Sequence, residues 1–148
     1  MLPIKHGGDF LLTALAILSI LLAALSTVLI VKNFLITVNT SSKTSINIML
    51  IILLIASLVC ALGGAYGGIV IPQAIAEFNA QKSGLTNEII AEYLINIKRY
   101  TSETIIFTVL GYVFFGISFL LLNKIKKEKT EEHTKVKTWN WDKINNKS

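Results

Sequence analysis

Three stretches of this chain are apolar almost without interruption, and its polar residues collect in the gaps between them. Phe10 to Val31, Ile46 to Ala76 and Thr104 to Leu122 contain no Asp, Glu, Lys or Arg. A helix on a soluble core breaks its apolar residues with a polar face at a period near 3.6, and a half-buried strand does so at a period of two. These runs do neither, so lipid is the solvent they fit. At about 1.5 Å per residue, a run of about 22 residues reaches roughly 33 Å, enough for a hydrocarbon core of about 30 Å. The pattern predicts an all-α membrane protein with three transmembrane helices, over about 10–31, 46–71 and 104–122. The second run is longer than one crossing needs and contains Gly63, Gly64, Gly67, Gly68 and Pro72. The expectation ends that span near Ile71, with a helix broken at the glycines as the alternative.

The gaps carry their own signals. Lys32 and Asn33 close the first run, and the polar connector from Asn39 to Ser45 supplies serines and threonines that can cap the next helix. Lys5 and the Ala24-Leu25-Ser26 segment resemble a signal peptide with its cleavage site, but the run is too long for an ordinary apolar region of that kind, so the first span is read as uncleaved. Between Thr86 and Tyr100 the period changes. Ile89, Ile90, Tyr93, Leu94 and Ile97 recur at helical spacing, and Glu88, Glu92, Asn96, Lys98 and Arg99 take the other side. That predicts an amphipathic helix over about 86–100, leading into the third span. Residues 123–148 then form a short basic tail, so the chain divides into a membrane domain, 1–122, and the tail.

Composition agrees with lipid: 53% of the 148 residues are hydrophobic and only 16% are charged, far from the balance of an average soluble domain. The net charge of +5 changes the picture through its placement. Lys124, Lys126, Lys127 and Lys129 follow the third span directly, whereas the connector from Gln73 to Glu103 holds Lys82, Lys98 and Arg99. Lysine and arginine gather on the cytoplasmic side of a membrane. The expected topology therefore has the N-terminus outside and the C-terminus cytoplasmic, in a plasma or bacterial inner membrane, with Lys5 dissenting. Because topology explains where the lysines lie, no nucleic-acid partner is expected.

Candidate chemistry is thin. Ion and proton paths usually place ionisable groups inside the bilayer, and the three runs contain none. His6 and His133 lie outside them, which leaves haem without axial ligands at membrane depth. Cys60 is the one cysteine, so neither a disulfide nor a thiolate metal site forms within one chain. No Ser, Thr or Lys has a histidine or carboxylate at a spacing that suggests activation. The reading is a non-enzyme without cofactor or metal.

The most specific feature is the placement of small residues on the second run. At 100° per residue, Ala56, Ser57, Cys60, Gly63, Gly64, Gly67 and Gly68 fall within one arc of roughly 140°, while Leu58, Val59, Leu62, Tyr66, Ile69 and Val70 lie outside it. Gly63 with Gly67, and Gly64 with Gly68, make a doubled GxxxG pattern, which lets helix backbones approach closely. Ala16, Ser19, Ala23, Ser26 and Thr27 on the first run, and Thr104, Thr108, Gly111 and Ser118 on the third, form matching seams. An interface within the chain is the simplest use of these faces, and a helix of another subunit is the next. Trp139 and Trp141 in the tail are candidate anchors at the headgroups or in a partner's pocket. The expected function is a non-catalytic accessory or assembly subunit of a larger integral membrane complex. Its partners, other integral membrane subunits or copies of itself, would be held through the small-residue faces, with the lipid bilayer around them. The alternative is a small oligomeric transporter or channel protomer lined by the glycine-rich segment.

Overall fold

A computed structural model describes the backbone of residues 7–39 and 44–145, and the side chains of residues 10–37, 45–131 and 133–136. Three long helices account for nearly all of it: α1 (Gly7–Asn39), α2 (Thr44–Gln81) and α3 (Asn87–Asn145), with a single 3-10 turn at Lys82–Gly84 before α3. All three are long and apolar enough to cross a membrane. No strand occurs among the described residues.

Each helix runs past the limits expected of its apolar segment. α1 continues through Lys32 and Asn33 to Asn39 because the next residues, Phe34 to Val38, include no glycine or proline to stop it. Asn33 stays in the helix by donating its side-chain amide to the Leu29 carbonyl at 2.8 Å. α2 passes through both the glycine run and Pro72 without a break. Proline cannot donate to the carbonyl four residues earlier, here that of Gly68. Residues beyond it nevertheless stay helical because they have a partner in α3: Phe78 is buried, and its ring stacks on Tyr93 with centroids 3.9 Å apart and planes within 9°. The broken-helix alternative is therefore not what forms, and the helix does not end near Ile71.

After Gln81 the chain reverses. The turn closes through the Leu85 N–H, which donates to the Lys82 carbonyl at 3.3 Å, with Leu85 itself extended. The Thr86 carbonyl then accepts from Ile90 at 3.1 Å and starts α3. The amphipathic segment, the third apolar run and the basic segment prove to be one continuous 59-residue helix. Within its first part, Ile90, Tyr93 and Ile97 turn toward the protein, whereas Ile89 and Leu94 are exposed. The apolar stripe is thus narrower than its spacing suggested, because only one neighbour, the end of α2, packs against it.

α2 is the central helix. It packs along both neighbours, while α1 and α3 meet over a short stretch. Contacts fix the directions: Ser26 meets Ser57, and Ser19 and Ala16 lie by Gly64 and Gly68, so α1 and α2 are antiparallel. Gly111 meets Ser57, and Thr104 lies by Gly67, so α2 and α3 are antiparallel as well. α1 and α3 consequently run parallel.

Candidate functional site

The interior of the layer mixes buried Leu12, Leu22, Leu50, Leu54 and Ile71 with small and hydroxyl-bearing residues, and its outside is built from large apolar ones. Ser19, Ser26, Ser57, Thr104, Thr108 and Ser118 are all buried. On the outside, Ile52, Val59, Leu62 and Ile69 of α2 are exposed, as are Ile17 and Val28 of α1 and Val109 and Leu120 of α3. An apolar patch beyond a few hundred Å² on a protein surface marks contact with lipid or with another protein.

The small residues of α2 divide between the two neighbours. A side chain at Gly68 would strike α1, with its Cβ 2.8 Å from both the Leu12 carbonyl oxygen and the Ala16 Cβ. A side chain at Gly67 would overlap the Thr104 side chain of α3, and at Gly63 it would touch the Phe107 ring at 3.4 Å. Gly64 sits where all three helices converge. Its added Cβ would overlap the Thr108 hydroxyl and lie 2.6 Å from that of Ser19. Cys60 is half-buried, and its Cβ would lie 3.4 Å from one added at Gly111. Ala56 is half-buried and Ser57 fully buried. Gly68 therefore admits α1 and Gly67 admits α3, with Gly64 against both.

Two hydroxyl relays cross this interior. Ser57 donates to the Gly111 carbonyl at 2.9 Å, which uses its single proton. The 3.2 Å bond between Ser26 and Ser57 must then be donated by Ser26. Likewise Thr108 donates to the Thr104 carbonyl at 2.9 Å, so Ser19 donates to Thr108 at 3.1 Å. Tyr112 adds a bond from α3 to α1, donating to the Leu18 carbonyl at 3.0 Å. Among the described residues, every buried side-chain nitrogen and oxygen has a partner. Both relays are pieces of packing, because each ends on a backbone carbonyl and neither includes an ionisable group. The hydrogen bonds were not legible in the sequence, although the seams of Ser and Thr that make them were.

Two of the grooves lined by described residues flank the layer. One, of about 510 Å³, lies between α2 and α3 where Gly63 and Gly67 leave space, and Tyr66, Tyr93, Tyr100 and Glu103 border it. Glu103 is held by Arg99, whose Nε donates to it at 3.1 Å across one helical turn. The other, of about 350 Å³, lies between α1 and α3 at the end where α1 finishes. Among the described residues no three His, Cys, Asp or Glu side chains come together to hold a metal ion. Trp139 and Trp141 lie on the backbone of α3, but their side chains fall outside the described residues.

The chain matches no protein-family model, no curated protein and no solved structure.

Proposed function

We infer that this chain is an integral membrane protein crossing the bilayer three times, N-terminus outside and C-terminus cytoplasmic, and that it serves as a non-catalytic accessory or assembly subunit. The membrane reading rests on three helices long and apolar enough to cross a bilayer and on the large aliphatic side chains that ring the layer, exposed on every helix. A three-helix layer so arranged gains from lipid outside it and from hydrogen bonds within it.

One observation carries the subunit reading: the described side chains at the far end of α3 are exposed. From Lys129 to Val136 every described side chain is exposed, yet the helix continues to Asn145. A helical segment of this length is marginal in water by itself, so a partner that packs on it supplies the missing stabilisation. Gly64 and Gly68 are covered by the chain's own helices, so the proposed partner contact falls on this projecting end, where Trp139 and Trp141 lie, and on the large aliphatic faces. The partners are other integral membrane subunits or copies of the chain.

Gentle solubilisation of the full chain, with identification of co-purifying membrane proteins, tests this. Recovery of the same partner with the intact chain, and its loss on deletion of residues 138–148 while membrane insertion persists, supports the reading. Selective ion or solute flux from liposomes containing this chain alone, against an empty-liposome control, would overturn it in favour of an oligomeric channel.

A further inference from the structure

Beyond their short meeting at Ser19 and Thr108, α1 and α3 separate, and the second groove opens between them. On the α1 wall Leu25, Val28 and Leu29 come first and Lys32 follows. On the α3 wall Phe115, Phe119 and Leu122 come first, and Lys126 and Lys129 follow. Both sets recur at intervals of three and four, the spacing that keeps one helical face turned the same way. Because α1 and α3 run parallel, both walls turn from apolar to cationic in the same direction. The groove is apolar toward the middle of the layer and carries Lys126 and Lys129 at its outer end, with Lys32 nearer the middle and Ile36 and Ile125 among them. Asn33, Asn47 and Asn123, one from each helix, line it as well and offer amide groups.

None of Lys32, Lys126 and Lys129 is ion-paired among the described residues, and all three are exposed. The cationic end therefore lacks an anion. From Phe115 to Lys126 the rise along the helix is about 16 Å, close to half of a hydrocarbon core of about 30 Å. The apolar part thus has the depth of one leaflet, and Lys126 and Lys129 lie at headgroup level.

We propose that this groove is a binding site for an anionic glycerophospholipid of the cytoplasm-facing leaflet, with its acyl chains along Leu25, Val28, Phe115 and Phe119 and its phosphate between Lys32, Lys126 and Lys129. The proposal rests on the membrane-spanning reading above. Lysine suits this task, being a compact cation on a flexible stem that can lie along an apolar wall and place its charge at the surface. The site differs from general attraction of basic segments to anionic membranes because it joins charges from two helices to a cavity of defined shape.

The test uses the full chain reconstituted in phosphatidylcholine vesicles containing a minor fraction of phosphatidylglycerol, with spin-labelled phosphatidylglycerol or spin-labelled phosphatidylcholine as the probe. Motionally restricted signal should favour the anionic probe by on the order of tenfold, and 0.5 M salt should reduce the preference only in part. The K32Q/K126Q/K129Q protein should lose it. Val28→Trp, which fills the groove and keeps every charge, should lose it too, whereas K124Q/K127Q, whose side chains do not line the groove, should retain it. Equal loss in K124Q/K127Q and in the triple variant would reduce the effect to surface charge and overturn the site. Absence of preference in a chain that co-floats with the vesicles would overturn the site and leave the membrane reading standing; failure to co-float would overturn the membrane reading itself. Disulfide cross-linking of two chains through F119C in a C60A background, with both probes excluded, would assign the groove to a second copy instead.

Discussion

The hydroxyl of Ser57 donates to the carbonyl oxygen of Gly111 at 2.9 Å, tying α2 to α3 at a level where α1 also arrives through Ser26. The bond depends on glycine. A Cβ at position 111 would lie 3.0 Å from the Leu22 Cδ2 and 3.4 Å from the Ala61 backbone nitrogen, so alanine there needs Leu22 to give way slightly and a bulkier residue would push α3 away from the carbonyl's donor. Small residue and hydroxyl are thus two halves of one device: the first permits approach, and the second gains a bond from it.

Removing the donor should be measurable but modest. Ser57→Ala deletes the bond to Gly111 and deprives Ser26 of its acceptor, so the three-helix layer should lose about 1 kcal/mol, the usual scale for an interhelical hydrogen bond in a membrane. Reversible unfolding in mixed micelles, in a cycle with Ser26→Ala, checks this. Coupling between the two sites should appear because they share one relay. Strict additivity would mean that the relay is not formed.

The glycines should separate by what stands opposite each. Gly68→Ala brings a methyl group against the α1 backbone at Leu12 and Ala16, which cannot rotate aside, and should cost about 1–3 kcal/mol. Gly64→Ala and Gly67→Ala overlap the Thr108, Ser19 and Thr104 side chains more closely still, and any yielding there disturbs their hydrogen bonds, so they should cost at least as much as Gly68→Ala, and leucine at either position should block assembly. Gly116→Ala meets nothing within 4 Å and should be neutral or stabilising by up to about 1 kcal/mol through helix propensity. Leu62→Ala, on the exposed face of α2, should be mild. Equal effects at positions 68 and 116 would show that helix propensity, and not packing, governs this face.

Much of the helical plan was legible in the sequence because an uncharged run reports its environment directly. Gly64, Gly67 and Gly68 were legible as a small face for the same reason, as period and residue size are properties of the string. Which helix each glycine meets was not, since Gly64 and Gly67 are three residues apart and differ only by which neighbour covers them. The helices extend beyond the spans read from the apolar runs. Pro72 suggested an end, but the contact of Phe78 with Tyr93 keeps α2 helical beyond it, and that contact joins residues on opposite sides of a turn. The groove at Lys32, Lys126 and Lys129 was equally hidden, because its walls lie about a hundred residues apart in the chain and meet only when α1 and α3 run parallel.

Tyr93 makes the end of α2 sensitive to alkali. Its hydroxyl donates to the Ala74 carbonyl at 2.5 Å while its ring stacks on Phe78. Burial, and secondarily the Glu77 carboxylate, hold its pKa above the ordinary value of 10. A phenol whose pKa is raised on folding favours the folded state fully below the unfolded value, and that contribution disappears as the pH rises through the folded one. Of the four tyrosines, Tyr93 should therefore ionise late in an absorbance titration at 295 nm. A spin-label pair at positions 80 and 88 should report separation of α2 from α3 only above about pH 10. Tyr93→Phe should abolish this alkaline transition, and Phe78→Ala should loosen the pair at neutral pH. If Tyr93→Phe left the alkaline transition unchanged, another group would be its source.

The lysines should orient the molecule, and the helix directions make that claim strict. α1 and α3 are parallel and α2 runs against them, so three crossings would put Lys32, Lys124, Lys126 and Lys127 on one side and Lys82, Lys98 and Arg99 on the other. The first group is the larger and lies close to the ends of its spans, so it should face the cytoplasm. In a C60A background, single cysteines introduced at Lys127 and Lys43 should be protected from an impermeant maleimide added to sealed right-side-out vesicles, and one at Lys82 should be labelled. Moving four lysines from positions 124–129 to the segment 79–84 should invert the pattern in a fraction of molecules. Labelling at positions 82 and 127 from the same side would be incompatible with a crossing by α3, and it would leave at most a two-span protein with its third helix lying on the surface.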